Sequence, residues 1–209
     1  LITGGKGVAI SQQAIRVPEP LLAAPRMRDA GALQDAEQVG FQLDAVPDAV
    51  SYRAQMATDA GFVDLFTEVE AATPNMSFED VPDGSFFVRF TAITANGIEG
   101  NPASYTVERR RNDVAATVNE VSDCPAKRCL LFRWRPNGSG DRMYRFQLLP
   151  SPDGVPILDQ AGMSETEIVV TDLPAGTYVW RVESRGRNGE KTFARWSEYE
   201  ELHVAPLKR

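Results

Sequence analysis

Gly176-Thr177-Tyr178-Val179-Trp180-Arg181-Val182-Glu183-Ser184 alternates in character with a period of two. Tyr178, Trp180, Val182 and Ser184 share one side, and Val179, Arg181, Glu183 and Arg185 the other. A chain that puts successive side chains on opposite faces and is apolar on one of them is a half-buried β-strand. The same pattern occurs 92 positions earlier, in Gly84-Ser85-Phe86-Phe87-Val88-Arg89-Phe90-Thr91-Ala92, where Phe86, Val88, Phe90 and Ala92 form the apolar side. Working outward, residues 52–97 align with residues 144–189 without a gap. Tyr52-Arg53-Ala54-Gln55 falls on Tyr144-Arg145-Phe146-Gln147, Asp80-Val81-Pro82 on Asp172-Leu173-Pro174, and Asn96-Gly97 on Asn188-Gly189. Phe41-Gln42-Leu43 matches Phe132-Arg133-Trp134 after a one-residue adjustment. In the strands that begin near Ser51 and Tyr144, the residues Tyr52, Ala54, Met56 and Tyr144, Phe146, Leu148 face inward.

A period near 90 residues suits a sandwich domain and is too long for a solenoid repeat. Turn signals separate the apolar runs at Val46-Pro47-Asp48, Pro82-Asp83-Gly84, Pro136-Asn137-Gly138 and Pro152-Asp153-Gly154. The fold class expected is all-β, two tandem immunoglobulin-like β-sandwiches. Residues 1–24 are expected to be a linker or the tail of a preceding domain, 25–111 the first repeat and 112–209 the second, with a short linker near 111–114. Only Asp59-Ala60-Gly61-Phe62-Val63-Asp64-Leu65-Phe66 hints at a single helical turn.

With 22 basic and 29 acidic side chains the formal charge is −7, a poor match for nucleic acid or an anionic membrane, though a local basic patch is compatible with it. No apolar run reaches the length of a membrane span, so no membrane insertion by this segment is expected. The chain begins at Leu1 rather than Met, which suggests a mature or trimmed piece of a longer product. The two cysteines stand in Cys124-Pro125-Ala126-Lys127-Arg128-Cys129. The spacing does not fit the redox C-x-x-C motif, and two cysteines with a distant His203 are too few for a structural zinc site. Two readings remain, a disulfide closing a β-hairpin and a pair of free thiols. The disulfide would add roughly 2 kcal/mol and imply an oxidising compartment such as a periplasm.

Leu173-Pro174-Ala175-Gly176-Thr177-Tyr178-Val179-Trp180-Arg181-Val182 resembles the L-P-x-G-T-Y-x-W-R-V strand of bacterial fibronectin type III-like domains. Val81-Pro82-Asp83-Gly84-Ser85-Phe86-Phe87-Val88-Arg89-Phe90 is a weaker version. With Val50-Ser51-Tyr52-Arg53-Ala54-Gln55, Thr58-Asp59-Ala60-Gly61-Phe62, Gly5-Lys6-Gly7-Val8-Ala9-Ile10 and Pro18-Glu19-Pro20-Leu21-Leu22, the chain resembles the C-terminal region of FecR-domain proteins. The resemblance covers nearly the whole chain. It implies a periplasmic protein, often with an N-terminal LysM peptidoglycan-binding domain, engaged in envelope sensing, scaffolding or cell-wall association. In the related fold a tyrosine hydroxyl ties down a turn. Tyr178 fits that role, whereas Phe86 at the matching place has no hydroxyl, so the first repeat is expected to be the less stable by on the order of 1 kcal/mol.

The chemistry-bearing residues do not assemble into a catalytic pattern. His203 is the sole histidine, read as structural or exposed on the last strand. Ser139 in Gly138-Ser139-Gly140 lacks the nucleophile-elbow spacing, and Gly4-Gly5-Lys6-Gly7 fails the P-loop spacing. The acidic residues never form a D-x-D-x-D-G ladder, and Asp80 and Asp172 read as turn-capping side chains. No enzyme activity, cofactor or metal is therefore expected. Arg109-Arg110-Arg111 reads as a solvated interdomain hinge, with anionic-polymer binding as the alternative. Trp196 and Tyr199 are candidate ligand contacts that could stack on sugar rings; otherwise Trp196 closes the core at the sheet edge. The expected function is a non-enzymatic interaction and spacer module with a protein or cell-wall partner, the alternative a peptidoglycan- or polysaccharide-binding module. No feature of the sequence specifies an oligomeric state.

Overall fold

The computed structural model describes residues 4–10, 17–121, 128–188 and 191–206. The chain resolves into two compact units, Leu1–Arg110 and Arg111–Arg209. Among the described residues both units are built from strands and turns, without a helix.

In the first unit a short pair, β1 (Lys6–Gly7) and β2 (Glu19–Pro20), precedes the sandwich. One layer pairs β3 (Val39–Gln42) with β6 (Asn75–Phe78), and the segment around Met27 joins it through a bridge to Leu43. The other layer is four antiparallel strands in the order β5-β4-β7-β8, with β4 at Ala49–Ala57, β5 at Leu65–Ala71, β7 at Gly84–Thr94 and β8 at Ala103–Arg109. The second unit repeats the plan. Its smaller sheet runs β13-β10-β9, from β9 (Val114–Val121), β10 (Cys129–Pro136) and β13 (Glu167–Thr171). Its larger sheet runs β12-β11-β14-β15, from β11 (Arg142–Leu149), β12 (Leu158–Met163), β14 (Gly176–Asn188) and β15 (Lys191–Trp196), and β16 (Glu200–Val204) continues along β14. Sequential strands crossing between a small and a large antiparallel sheet make an immunoglobulin-like sandwich. β7 and β14 begin 92 residues apart, as do β6 and β13, so the sequence repeat is a repeat of strands.

The alternating faces close two separate cores. Tyr52, Ala54, Met56, Phe86, Val88, Phe90 and Ala92 are buried with Phe41 and Leu43 in the first. Tyr144, Phe146, Leu148, Tyr178, Trp180 and Val182 are buried with Phe132 and Trp134 in the second, where Phe132 meets Trp180 edge-on with ring centroids 5.0 Å apart. Asp80 and Asp172 occupy equivalent turns with φ of 54° and 52°. That left-handed backbone is one that aspartate tolerates better than most residues, which accounts for the repeat of this residue at the turn.

One local expectation needs correcting. Asp59–Phe66 is not helical, because the Asp59 carboxylate accepts hydrogen bonds from the backbone N–H groups of Gly61, Val63 and Asp64 at 2.8, 3.1 and 2.8 Å. Those donors satisfy a side chain instead of a helical ladder, and Phe62 takes a φ of 55°. Residues 17–24 are tied to the first repeat. The Leu22 carbonyl accepts from the Asn101 backbone and side-chain amides, Glu19 accepts from Thr94 and Asn96, and Leu22 packs against the core. Within residues 111–114, Asn112 is held inside the second unit. Asn112 is fully buried, donating to the Ser184 carbonyl at 2.9 Å and accepting from the Ser184 hydroxyl at 2.7 Å and Arg142 at 3.0 Å.

The missing hydroxyl at Phe86 has a substitute. Tyr178 donates to the Pro174 carbonyl at 3.0 Å, as its place in the second repeat implies. In the first repeat the Tyr105 hydroxyl accepts from the Met27 backbone at 3.1 Å and donates to the Pro25 carbonyl, while the Tyr52 hydroxyl accepts from the Val46 backbone at 2.9 Å. The basis for ranking the first repeat as weaker is therefore removed. β9 and β10 pair antiparallel with Val121 opposite Cys129. Cys129 is buried, and Cys124 lies outside the described residues, so the expected pairing is not described.

Candidate functional site

Each large sheet carries a polar row on the face turned away from its core. In the first repeat Glu68, Gln55 and Arg89 lie directly opposite one another across β5, β4 and β7. Gln55 donates to Glu68 at 3.0 Å, and its carbonyl oxygen accepts from Arg89 Nη2 at 2.7 Å. In the second repeat Asp159, Gln147 and Arg181 occupy the corresponding register. Gln147 donates to Asp159 at 2.9 Å and accepts from Arg181 Nη2 at 2.9 Å. Arg145 adds a two-pronged ion pair to Asp159, at 2.7 and 2.6 Å. This bond from Arg145 is the chief reason the Asp159 carboxyl is held below its ordinary value, against an opposing effect of desolvation.

Trp196 and Tyr199 complete the row in the second repeat. The Arg181 guanidinium carbon lies 4.1 Å from the Trp196 ring centre and 4.6 Å from that of Tyr199, within cation–π range of both. Arg145 stands 5.8 Å from the same indole. Residues three apart in a regular strand would point to opposite faces. Here the ladder with β14 passes from β15, ending at Trp196 opposite Glu183, to β16, beginning at Glu200 opposite Trp180, and the residues between bulge out. Ser197 bridges the interruption: its hydroxyl accepts from the Val182 backbone at 3.1 Å and donates to the Glu198 carbonyl at 2.8 Å. Tyr199 is further held by a bond from its hydroxyl to the Pro152 carbonyl at 3.2 Å. The first repeat has a simpler counterpart in Arg89, 4.4 Å from the Phe62 ring centre.

Trp196 therefore does not close the core, as its sequence position suggests; it lies half-buried on the opposite face, because β15 places it directly opposite outward-facing Glu183, and the break at Ser197 brings Tyr199 to the same face. The Arg181 guanidinium lies against both rings, on surface that a sugar would need for stacking. The sequence reading missed Arg181 and Gln147. Their repeat counterparts, Arg89 and Gln55, were a signal, since both pairs recur at the same offset outside the apolar pattern.

Searched against known protein families, the chain matches no family model, and no curated protein matches it. Both repeats are fibronectin type III-like sandwiches. Among solved structures the chain is similar to the FN1–FN3 domains of chicken CNTN1, at 13% identity and a TM-score of 0.42, over 96% of this chain and 77% of that one. It is also similar to the fibronectin(III)-like modules of Clostridium thermocellum CbhA, at 11% identity and a TM-score of 0.32, over 87% of this chain and 94% of that one.

The arginine triplet is divided in role. Arg109 is 1% exposed and donates to the carbonyls of Val81, Gln34, Ala36 and Glu37, which makes it a strut of the first repeat rather than a solvated hinge residue. Arg110 bonds to the Arg109 carbonyl at 2.7 Å and approaches Glu108 at 3.4 Å. Arg111 belongs to the second unit, paired with Asp113 at 2.7 Å. Burial raises the Asp113 pKa, but the hydrogen bonds from Arg111 and Asn137 outweigh it and leave the carboxyl below its ordinary value. His203 is exposed on β16, 3.4 Å from the Thr177 hydroxyl, and no metal-binding cluster occurs among the described residues.

Proposed function

We propose that the chain is a non-enzymatic spacer and interaction module of a bacterial FecR-like cell-envelope protein, binding a protein or cell-wall partner while positioning neighbouring domains. Fibronectin type III-like domains in general serve as spacers or interaction modules. The observation that carries the reading is that each sandwich closes a core of its own. A cross-strand polar row engages glutamine and arginine side chains on the outer face of each large sheet. A periplasmic address and a Cys124–Cys129 disulfide belong to the same proposal, supported by the antiparallel pairing of β9 and β10 on either side of the cysteine loop.

The test is retention of bacterial envelope proteins and peptidoglycan sacculi on the immobilised chain, followed by mass analysis of what is retained. The proposal expects a partner held without change to its covalent structure. Turnover of any retained component would overturn it. A thiol titration of protein isolated from its native source, under native and denaturing conditions, expects no reactive thiol in either; two titratable thiols would remove the periplasmic reading.

A further inference from the structure

The large sheet of the first repeat ends on an open edge. β5 pairs with β4 on one side and with no other strand among the described residues. Such an edge offers backbone donors and acceptors that another polypeptide backbone satisfies and a glycan does not. Beside the polar row of Glu68, Gln55 and Arg89 runs an apolar one. Leu65 and Phe87 both lie opposite Ala57, and Met56 next to Ala57 belongs to the core, so this second row faces outward. The ladder with β4 steps from Thr67 to Leu65, skipping Phe66, and that extra residue puts Leu65 and Glu68, three apart, on one face. Leu65 and Phe66 are exposed, as is Val63 in the turn before them.

The repeat supplies an internal comparison. Exposed apolar residues at this corner occur in both copies, since Val63 and Leu65 correspond to Val155 and Ile157, which are exposed too. Charge is what separates the copies. In the second repeat the acid of the polar row, Asp159, is neutralised by the two-pronged pair from Arg145. The equivalent arginine of the first repeat, Arg53, pairs instead with Glu99 and, at 3.5 Å, with Glu70. Glu68 is left with a hydrogen bond from the neutral Gln55 amide and no cation among the described residues. Asp59 and Asp64, in the turn that leads to β5, accept from backbone N–H groups and from the Thr58 hydroxyl. The whole unit shares the bias: residues 1–110 carry eight basic and fifteen acidic side chains, residues 111–209 fourteen of each.

We infer that β5 takes up an extended basic segment of a partner protein as an added strand, with a lysine or arginine beside Glu68 and an aliphatic side chain beside Leu65. This rests on the proposed role as an interaction module and names the chemistry of its partner. A second copy of the chain is the poorer occupant. Antiparallel pairing of β5 with itself would set the acidic run of Glu68 and Glu70 against its own like, and like charges across paired strands are destabilising.

The test titrates the full chain, isotope-labelled for amide NMR, with a short capped peptide in which Leu and Lys alternate at every second position and Thr stands between them. Shifts confined to the amides of β5 and the turn before it are expected, with slowed hydrogen exchange in β5. Affinity should fall with added salt and fall at least about tenfold in Glu68→Lys. Far-ultraviolet circular dichroism checks that the variant folds; if it does not, Glu68→Gln and Leu65→Ser take its place, each with a loss of about threefold. Equal binding of the same peptide with Glu in place of Lys, shifts on β12 instead of β5, shifts without slowed exchange, or unchanged affinity in the folded variants would each overturn the inference. So would dimerisation of the unliganded chain through β5. A native envelope partner retained equally by the original and variant chains would overturn this edge as its site while leaving the spacer-and-interaction role standing.

Discussion

Two hydroxyls do comparable work in the two repeats, and each is separable by a single oxygen atom. Tyr178→Phe removes the bond to Pro174, and Tyr105→Phe removes the bonds to Met27 and Pro25. Each is expected to cost about 1 kcal/mol in its own repeat, measured by urea unfolding of the full chain. All three tryptophans, Trp134, Trp180 and Trp196, lie in the second repeat, so Tyr178→Phe should move the fluorescence midpoint and Tyr105→Phe should not. Arg181 is the more consequential side chain. It bonds Gln147 and lies against two aromatic rings, so Arg181→Ala should cost roughly 1–2 kcal/mol. Lysine should restore little of that loss, because it lacks the planar fork. None of this was legible from residue type alone: Arg109 and Arg181 look like solvated charges until the register reveals the carbonyls and rings that receive them. The buried faces of the strands were legible, because a period of two needs no knowledge of partners.

At the scale of elements, the turns that carry the sheets have stricter requirements than the strands themselves. Gly138, in the turn from β10 to β11, has a φ of +84°, and a β-carbon there would come within 2.3 Å of the Arg111 carbonyl oxygen. Gly138→Ala therefore combines backbone strain with a clash against main chain, and roughly 1–3 kcal/mol of destabilisation is expected by the same fluorescence measurement. The electrostatics of the neighbouring elements set an acid limit. Asp159, bonded chiefly by Arg145, and Asp113, where the Arg111 and Asn137 bonds overcome burial, both have folded pKa values below the ordinary 3.8. The unfolded chain thus binds protons more readily, so their stabilisation is present above that value and disappears as the pH falls through the folded pKa. Unfolding midpoints of the second repeat should drop as pH is lowered past 4, and less steeply in Asp159→Asn. A midpoint insensitive to acid, or an equally steep variant, would contradict this. The break at Ser197 shows why the shared face of Trp196 and Tyr199 escaped the sequence: one interruption reverses facing parity between β15 and β16, and Trp196-Ser197-Glu198-Tyr199 carries no glycine or proline to announce it.

For the whole molecule, the division of charge follows the division of cores. The first unit holds the entire formal imbalance of the chain, while the second is balanced. Like charges crowded on one compact unit repel in the folded state more than in the expanded chain, and salt screens that repulsion over a Debye length of about 10 Å at 0.1 M. Added sodium chloride should therefore stabilise the first repeat and leave the second nearly unmoved, apart from slight weakening of exposed pairs such as Arg133–Glu167. Tryptophan fluorescence follows the second repeat alone and far-ultraviolet circular dichroism follows both, so the two midpoints can be compared in one sample. As salt rises, the dichroism transition should shift upward relative to the fluorescence transition. If both shifted together by the same amount, the cores would be unfolding as one cooperative unit, and separate stabilities for the two repeats would have to be abandoned. If only the fluorescence transition moved, the placement of the destabilising charge in the first repeat would be wrong.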